Sequence, residues 1–265
     1  MQGPFHFCST CALLLLAGCA HLRPATAPMR TMVYRGGDSA RTLIVLLPGR
    51  RDSPEDFGRF DFPALAAQAG VVADMVAVDA HLGYYYRRTV VERLHDDVIA
   101  PARKRYDRVW LVGISIGGTG SLLYAAEHPE DVDGILLLAP YLGEKPLIDE
   151  VAAAGGLREW RPPARLAPDD FQRQLWVWLK SYFYRSENQP PLYLGYGRSD
   201  SFARANGILG DALPPGHVLT APGGHDWRTW TELWKSFLRT RALSGTGRGP
   251  GERSAASTQA ASNAT

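Results

Sequence analysis

Short runs of consecutive apolar residues, many rich in Val, Ile and Leu, alternate along this chain with longer amphipathic or Ala-rich stretches. A run that is apolar at nearly every position suits a strand buried on both faces, and its alternation with helical stretches predicts a mostly parallel sheet covered on both sides by helices. The expected strands are Thr31 to Tyr34, Leu43 to Leu47, Val72 to Val78, Val109 to Ile114, Gly134 to Leu138, Leu192 to Gly195 and His217 to Thr220. The expected helices are Phe62 to Gln68, Thr89 to Lys104, Gly117 to His128 and Trp227 to Leu243. No repeat period is visible, which argues against solenoids and propellers. From Tyr141 to Pro190 the connection between two strands is far longer than a simple crossover needs, so an insertion is expected there. Its amphipathic stretch, Asp169 to Phe183 with Trp176 and Trp178, reads equally as a lid over a pocket or as a helix packed on the core.

The two ends depart from this rhythm. Cys11 to Ala17 form an apolar run too short to span a bilayer, which reads as the core of a secretory signal; a buried N-terminal helix is the alternative. The string Leu16-Ala17-Gly18-Cys19 that closes it resembles the lipobox of bacterial lipoproteins, although Met1 to Phe7 carry no Lys or Arg. That resemblance implies lipid on Cys19, the removal of Cys8 and Cys11 with the signal, and a place in the bacterial cell envelope, anchored at the periplasmic face of a membrane or secreted. The mature chain would then have no thiol beyond Cys19, so no disulfide is expected to stabilise it. Residues 244–265 lack any large apolar side chain and cannot offset the entropy of ordering, which predicts a disordered tail. The chain is thus expected to divide into a signal over 1–18, a tether over 19–29, one domain over 30–243 with the insertion at 141–190, and the tail.

Composition changes this picture little. Apolar residues at 45%, charged residues at 21% and a formal net charge of +2 describe an ordinary globular surface, without the basic excess that nucleic-acid binding requires.

The chemistry centres on Gly113-Ile114-Ser115-Ile116-Gly117, which follows an apolar strand and opens a helical stretch. This is G-x-S-x-G in strand-to-helix context, where a strained turn exposes the serine hydroxyl and glycines on either side avoid steric conflict. Free N–H groups at the helix start favour developing negative charge there. No Lys-Ser/Thr pair follows, which excludes a phosphate-cradling P-loop. Asp200 lies just past the strand beginning at Leu192, and His225 lies in the Gly-rich loop after the strand beginning at His217. Both positions are at carboxyl ends of strands, where catalytic groups gather in open α/β sheets. A serine hydroxyl becomes nucleophilic when a neutral imidazole takes its proton and a carboxylate fixes the imidazole tautomer, which gives the roles of Ser115, His225 and Asp200. Asp226, adjacent to the histidine, reads as a helix cap. Glu144 is the reserve acid, and His81 is the one other histidine able to face the site, as a loop residue or substrate contact.

These motifs, in the order Ser, Asp, His, resemble the α/β-hydrolase superfamily over about Arg30 to Arg241. The resemblance implies an oxyanion hole built from the N–H of Ile116 and from the turn Leu47-Pro48-Gly49-Arg50, with Arg50 as second donor and Pro48 where the family usually has His. Arg50 and Arg51 read equally as a solvated basic edge. Tyr84, Tyr85 and Trp160 are expected to furnish an aromatic pocket for a small-molecule ester. Hydrolysis through an acyl-enzyme on Ser115, without cofactor or metal, is the leading expectation. A peptidase, thioesterase or acyltransferase uses the same machinery, and a membrane-tethered binding protein without catalysis is the remaining alternative. Oligomeric state is not encoded in any of these patterns.

Overall fold

The computed structural model describes residues 23–184 and 189–244. The signal expected over 1–18, Cys19, and the tail from residue 245 onward lie outside the described residues.

Among the described residues, seven strands form one sheet: β1 (Thr31–Tyr34), β2 (Thr42–Leu47), β3 (Asp74–Val78), β4 (Arg108–Ile114), β5 (Gly134–Leu138), β6 (Leu192–Gly197) and β7 (Val218–Ala221). Their spatial order is β1-β3-β2-β4-β5-β6-β7; β1 pairs antiparallel with β3 and every other pairing is parallel. The helices are α1 (Pro54–Arg59), α2 (Phe62–Gln68), α3 (Leu82–Tyr86), α4 (Val90–Leu94), α5 (Ala100–Ala102), α6 (Ile116–Glu127), α7 (Lys145–Ala153), α8 (Phe171–Tyr184), α9 (Ala203–Gly210) and α10 (Trp227–Arg239). The stretch from Thr89 onward, expected as one uniform helix, is α4 and α5 joined through a π-helical turn, His95–Ile99.

Side chains alternate across the sheet as the two-residue period of a strand requires. Leu43, Val45, Leu47, Val109 and Leu111 enter one core with residues of α4 to α9, whereas Ile44, Leu46, Trp110, Val112 and Ile114 enter a second core with Phe57, Phe62, Trp230, Leu233, Trp234 and Phe237 from α1, α2 and α10. The alternation explains why β2 and β4 are apolar throughout: neither face meets water. β3 starts later than its apolar run suggested, at Asp74, and Val72 is left half exposed. The buried Asp74 carboxylate accepts from the Tyr106 hydroxyl (2.6 Å), the Arg35 guanidinium (2.7 Å) and the Gly36 N–H (2.8 Å), so this strand end is anchored by polar contacts rather than by apolar burial.

Two expectations about the periphery change. Residues 23–29 are not a free tether: Arg23 pairs with Asp79 at 2.7 Å, the Thr26 N–H donates to the Tyr84 hydroxyl, and buried Met29 donates its N–H to Asp97 at 2.8 Å. The long insertion forms α7 and α8, and α8 buries Leu175, Trp176 and Leu179 in the first core while the Trp176 indole donates to the Leu142 carbonyl at 2.6 Å. Of the two readings of its aromatic stripe, packing on the core is the one these contacts describe. Among the described residues, no helix is long and apolar enough to cross a membrane.

Candidate active site

The sheet register brings four loops to one edge. Leu47 is opposite Gly113, Ile114 opposite Leu138, and Gly197 opposite Ala221, so the chain leaving β2, β4, β6 and β7 emerges at similar height. Ser115 stands at the junction of β4 and α6 with φ 54° and ψ −117°, in the positive-φ region that side chains other than glycine rarely occupy. Hydrogen bonds hold this conformation from both sides. The Ser115 N–H donates to the Leu138 carbonyl, and the Ser115 carbonyl accepts from Gly118 and Tyr141, each at 3.0 Å. The flanking glycines are sterically obligatory, because a Cβ on Gly113 would sit 2.6 Å from the Gly118 Cα and a Cβ on Gly117 would sit 2.6 Å from the Pro48 carbonyl oxygen.

The loops after β6 and β7 are tied together: Arg198 and Ser199 donate their N–H groups to the carbonyls of Ala221 and Gly223, both at 2.9 Å. This places His225 between its two partners. Its Nε2 lies 2.9 Å from Ser115 Oγ, and its Nδ1 lies 2.9 Å from Asp200 Oδ2. The Asp200 carboxylate is fully buried, and its other oxygen accepts the Phe202 N–H at 2.8 Å. The imidazole is bracketed edge-on by Phe202, 4.9 Å away, and Trp230, 5.0 Å away. These aromatic neighbours limit its rotation while leaving His225 partly open to solvent beside the buried Ser115.

The other acids and the second histidine serve local structure. Asp226 caps α10, accepting the Thr229 N–H at 2.9 Å and its hydroxyl at 3.1 Å, and these bonds, led by the backbone N–H, hold its carboxyl below the ordinary aspartate range. Glu144 precedes α7 and accepts from the Tyr141 hydroxyl at 2.7 Å. His81 caps α3 by accepting the Gly83 N–H on Nδ1, and burial lowers its proton affinity.

Ile116 opens α6, where its N–H has no intrahelical acceptor. Tyr85 is half-buried, and its hydroxyl donates to the Ile116 carbonyl at 3.0 Å, which places it against the serine turn. Across from this turn, a Cβ on Gly49 would lie 3.6 Å from Ser115 Cβ, which puts the turn after β2 against the serine; the Arg50 and Arg51 side chains are exposed. Tyr84 and Trp160 are corrected from pocket to core. Tyr84 is 1% exposed and its hydroxyl donates to the Thr26 carbonyl, while Trp160 is 1% exposed and its indole donates to Glu150 at 2.8 Å.

Four residues near the relay were not singled out from sequence. Tyr141 stacks edge-on against Phe202, which in turn contacts His225, and Trp230 closes the opposite side. Asp52, on the turn after β2, accepts the Trp227 indole N–H at 2.9 Å and so ties that turn to α10 beside the histidine. Burial pushes the Asp52 carboxyl above its ordinary range, against the opposing pull of the Trp227 bond. Ser53 with Asp56 and Pro54 at a helix start was the readable signal that this turn ends in a capped helix.

The family described as "Putative esterase" matches residues 37–238, a span that holds the whole relay. The chain belongs to this esterase family. No curated protein matches the esterase. Its fold is similar to that of FphF, a fluorophosphonate-binding serine hydrolase of Staphylococcus aureus (TM-score 0.57, 17% identity, covering 82% of this chain and 93% of that one). It is also similar to the S-formylglutathione hydrolase FrmB of Staphylococcus aureus (TM-score 0.53, 17% identity, 76% and 80% covered) and to Est1E from Butyrivibrio proteoclasticus (TM-score 0.54, 15% identity, 82% and 93% covered). At these identities the likeness is one of fold. The family match makes it an ester-hydrolysing enzyme, and its sheet has the α/β-hydrolase fold.

Proposed function

We propose that this esterase cleaves small carboxylic esters through an acyl-enzyme on Ser115. The observation that carries the reading is the unbroken relay Ser115 Oγ, His225 Nε2, His225 Nδ1, Asp200 Oδ2, with 2.9 Å at each hydrogen bond. His225 takes the Ser115 proton as Oγ bonds to the substrate carbonyl carbon. The imidazolium then gives that proton to the departing alkoxide as the ester C–O bond breaks. Water, deprotonated by His225, attacks the acyl-enzyme; the proton returns to Ser115 Oγ as the acid leaves. Asp200 accepts the Nδ1–H and so holds the imidazole with Nε2 free to accept. The N–H groups of Ile116 and Arg50 are the proposed donors to the tetrahedral oxyanion. The support for Ile116 is its place at the start of α6, and for Arg50 the approach of the Gly49 turn to Ser115.

A thioester substrate is the second reading, favoured by the name S-formylglutathione hydrolase carried by two structurally similar proteins, from Staphylococcus aureus and Agrobacterium tumefaciens. Labelling with a fluorophosphonate probe and peptide mapping test the nucleophile; a panel of p-nitrophenyl esters of rising chain length, run beside S-acyl thiols, ranks the substrates. Absence of label on Ser115 in folded protein would end the acyl-enzyme reading.

We further propose that Cys19 carries lipid and holds the enzyme at a membrane of the bacterial envelope. The support is the string Leu16-Ala17-Gly18-Cys19. Mass spectrometry of the mature N-terminus decides it, and an unmodified chain beginning elsewhere than Cys19 would refute it.

A further inference from the structure

Away from the relay, at the far end of the helix that begins after Ser115, three side chains converge. His95 opens the π-helical turn, His128 ends α6, and Asp131 closes the short 3-10 turn that follows, Pro129–Asp131. One donor atom from each lies within 4.8 Å of the others. We propose that His95, His128 and Asp131 bind one divalent transition-metal ion of the zinc class, outside the catalytic centre.

Two neutral imidazoles and one carboxylate are a donor set that zinc accepts, with a water completing a tetrahedron. Bonds of about 2.0–2.2 Å at tetrahedral angles put neighbouring donors roughly 3.4 Å apart. His95 Nδ1 and Asp131 Oδ2 are 3.5 Å apart, already at that edge length. Charged groups stand near two of the donors, at ion-pair rather than hydrogen-bond distance: Arg103 lies 3.6 Å from Asp131 Oδ1, and Glu130 lies 3.9 Å from His128 Nδ1. Groups so placed can steady carboxylate and imidazole ligands once a metal is held.

Without metal the Tyr124 hydroxyl bridges the donors, 3.2 Å from His95 Nδ1 and donating to Asp131 Oδ2 at 3.0 Å. The two imidazoles stack at 4.3 Å with their planes 13° apart, so binding requires the rings to tip toward a common point. Rotation about the terminal torsion of histidine is broad and shallow, and both rings keep a solvent-facing edge, with side chains about one-third and one-quarter exposed. The π-helical turn is a rare backbone form that recurs at functional positions, and here it starts at His95. The ion would join the α4–α5 segment to the C-terminal end of α6, whose N-terminal end carries Ser115; its expected effect is on stability.

The test is zinc titration of the EDTA-treated full chain by calorimetry, with melting temperature followed in parallel. His6, His21 and the three cysteines lie upstream, so the variants carry the assignment. His95→Gln and His128→Gln should each abolish one zinc equivalent and the accompanying rise in melting temperature. Asp131→Asn should weaken that equivalent by roughly tenfold or more, because it removes the one anionic donor. Magnesium should give no such equivalent. Fluorophosphonate labelling of Ser115 verifies that each variant is folded, and if one histidine variant fails that check the other decides. No zinc uptake by the wild-type chain overturns the proposal. So does uptake unchanged in the folded histidine variants, or an equivalent that vanishes only in His225→Ala.

Discussion

Replacing Asp200 by Asn tests the relay at its least exposed member. The carboxylate is fully buried, with Oδ1 on the Phe202 N–H at 2.8 Å and Oδ2 on His225 Nδ1 at 2.9 Å. An asparagine amide keeps the Phe202 bond only by turning its NH2 toward Nδ1. That orientation forces Nδ1 to accept and Nε2 to carry the proton, so the imidazole can no longer take the proton of Ser115. The flipped amide restores the productive tautomer but sets an NH2 against the buried Phe202 N–H, at a cost of about 1–3 kcal/mol for the unsatisfied group. The productive form is then a minority by roughly five- to a hundred-fold, and it also lacks the negative charge that stabilises the imidazolium. Together these effects predict a fall in kcat of about 10³–10⁴, or roughly 4–5.5 kcal/mol of transition-state stabilisation. Asp226→Asn is the matched control, because Asn caps a helix about as well as Asp and kcat should stay within about twofold. Both are read from p-nitrophenyl acetate hydrolysis near neutral pH, with circular dichroism verifying the fold. Asp200→Asn within tenfold of wild type, or Asp226→Asn equally damaging, would refute the assignment of the acid.

Other substitutions probe the surroundings. Gly117→Ala drives a Cβ against the Pro48 carbonyl oxygen from 2.6 Å; it should lower soluble yield and melting temperature sharply, and a stable, active Gly117→Ala protein would contradict the crowding described at the serine turn. Trp160→Ala should destabilise by about 3–5 kcal/mol in denaturant titration, as truncation of a buried indole does, while kcat/KM of the folded fraction changes little; a selective loss of kcat/KM would return Trp160 to the substrate pocket. Asp52→Asn keeps an acceptor for the Trp227 indole but removes the burden of ionising a buried carboxyl whose proton affinity is raised. The raised group favours the folded state least when ionised, so the melting temperature of Asp52→Asn should gain on wild type as pH rises through the ordinary aspartate range toward neutrality. A gap that narrows over that interval would show the sign to be wrong.

Much of this architecture was readable because β2, β4 and β5 are buried at nearly every position of both faces, which leaves short continuous runs rich in Val, Ile and Leu between turn residues. The relay was readable for a related reason: each member follows a strand, and chain order does not depend on side-chain detail. What escaped depends on distant partners. Trp160 is an apolar ring in an insertion until Glu150 is seen to accept its N–H, and Tyr84 is a loop aromatic until Thr26 reaches it. Nothing in the periodicity marks Phe202 or Trp230 as walls around His225, since both are ordinary helix or loop aromatics in sequence. Helix α7 begins at Lys145 with Pro146 in its first turn, and its buried stripe of Leu147, Ile148 and Val151 covers little more than one turn, too short for periodicity to mark inside a long insertion. Helix α3 has only five residues and depends on the His81 cap, too short a segment for periodicity to detect.

The pairing register of the central strands has a consequence for how this enzyme can change. Alignment of the nucleophile, base and acid is inherited from backbone ladders two and three strands apart, with Leu47 facing Gly113 and Gly197 facing Ala221. Connections that carry no member of the relay, such as the long one between β5 and β6, can therefore lengthen, shorten or exchange side chains while the sheet keeps the relay aligned. Selection for a new acyl or alcohol group would act on those connections, and the short loops after β4, β6 and β7 would stay as they are.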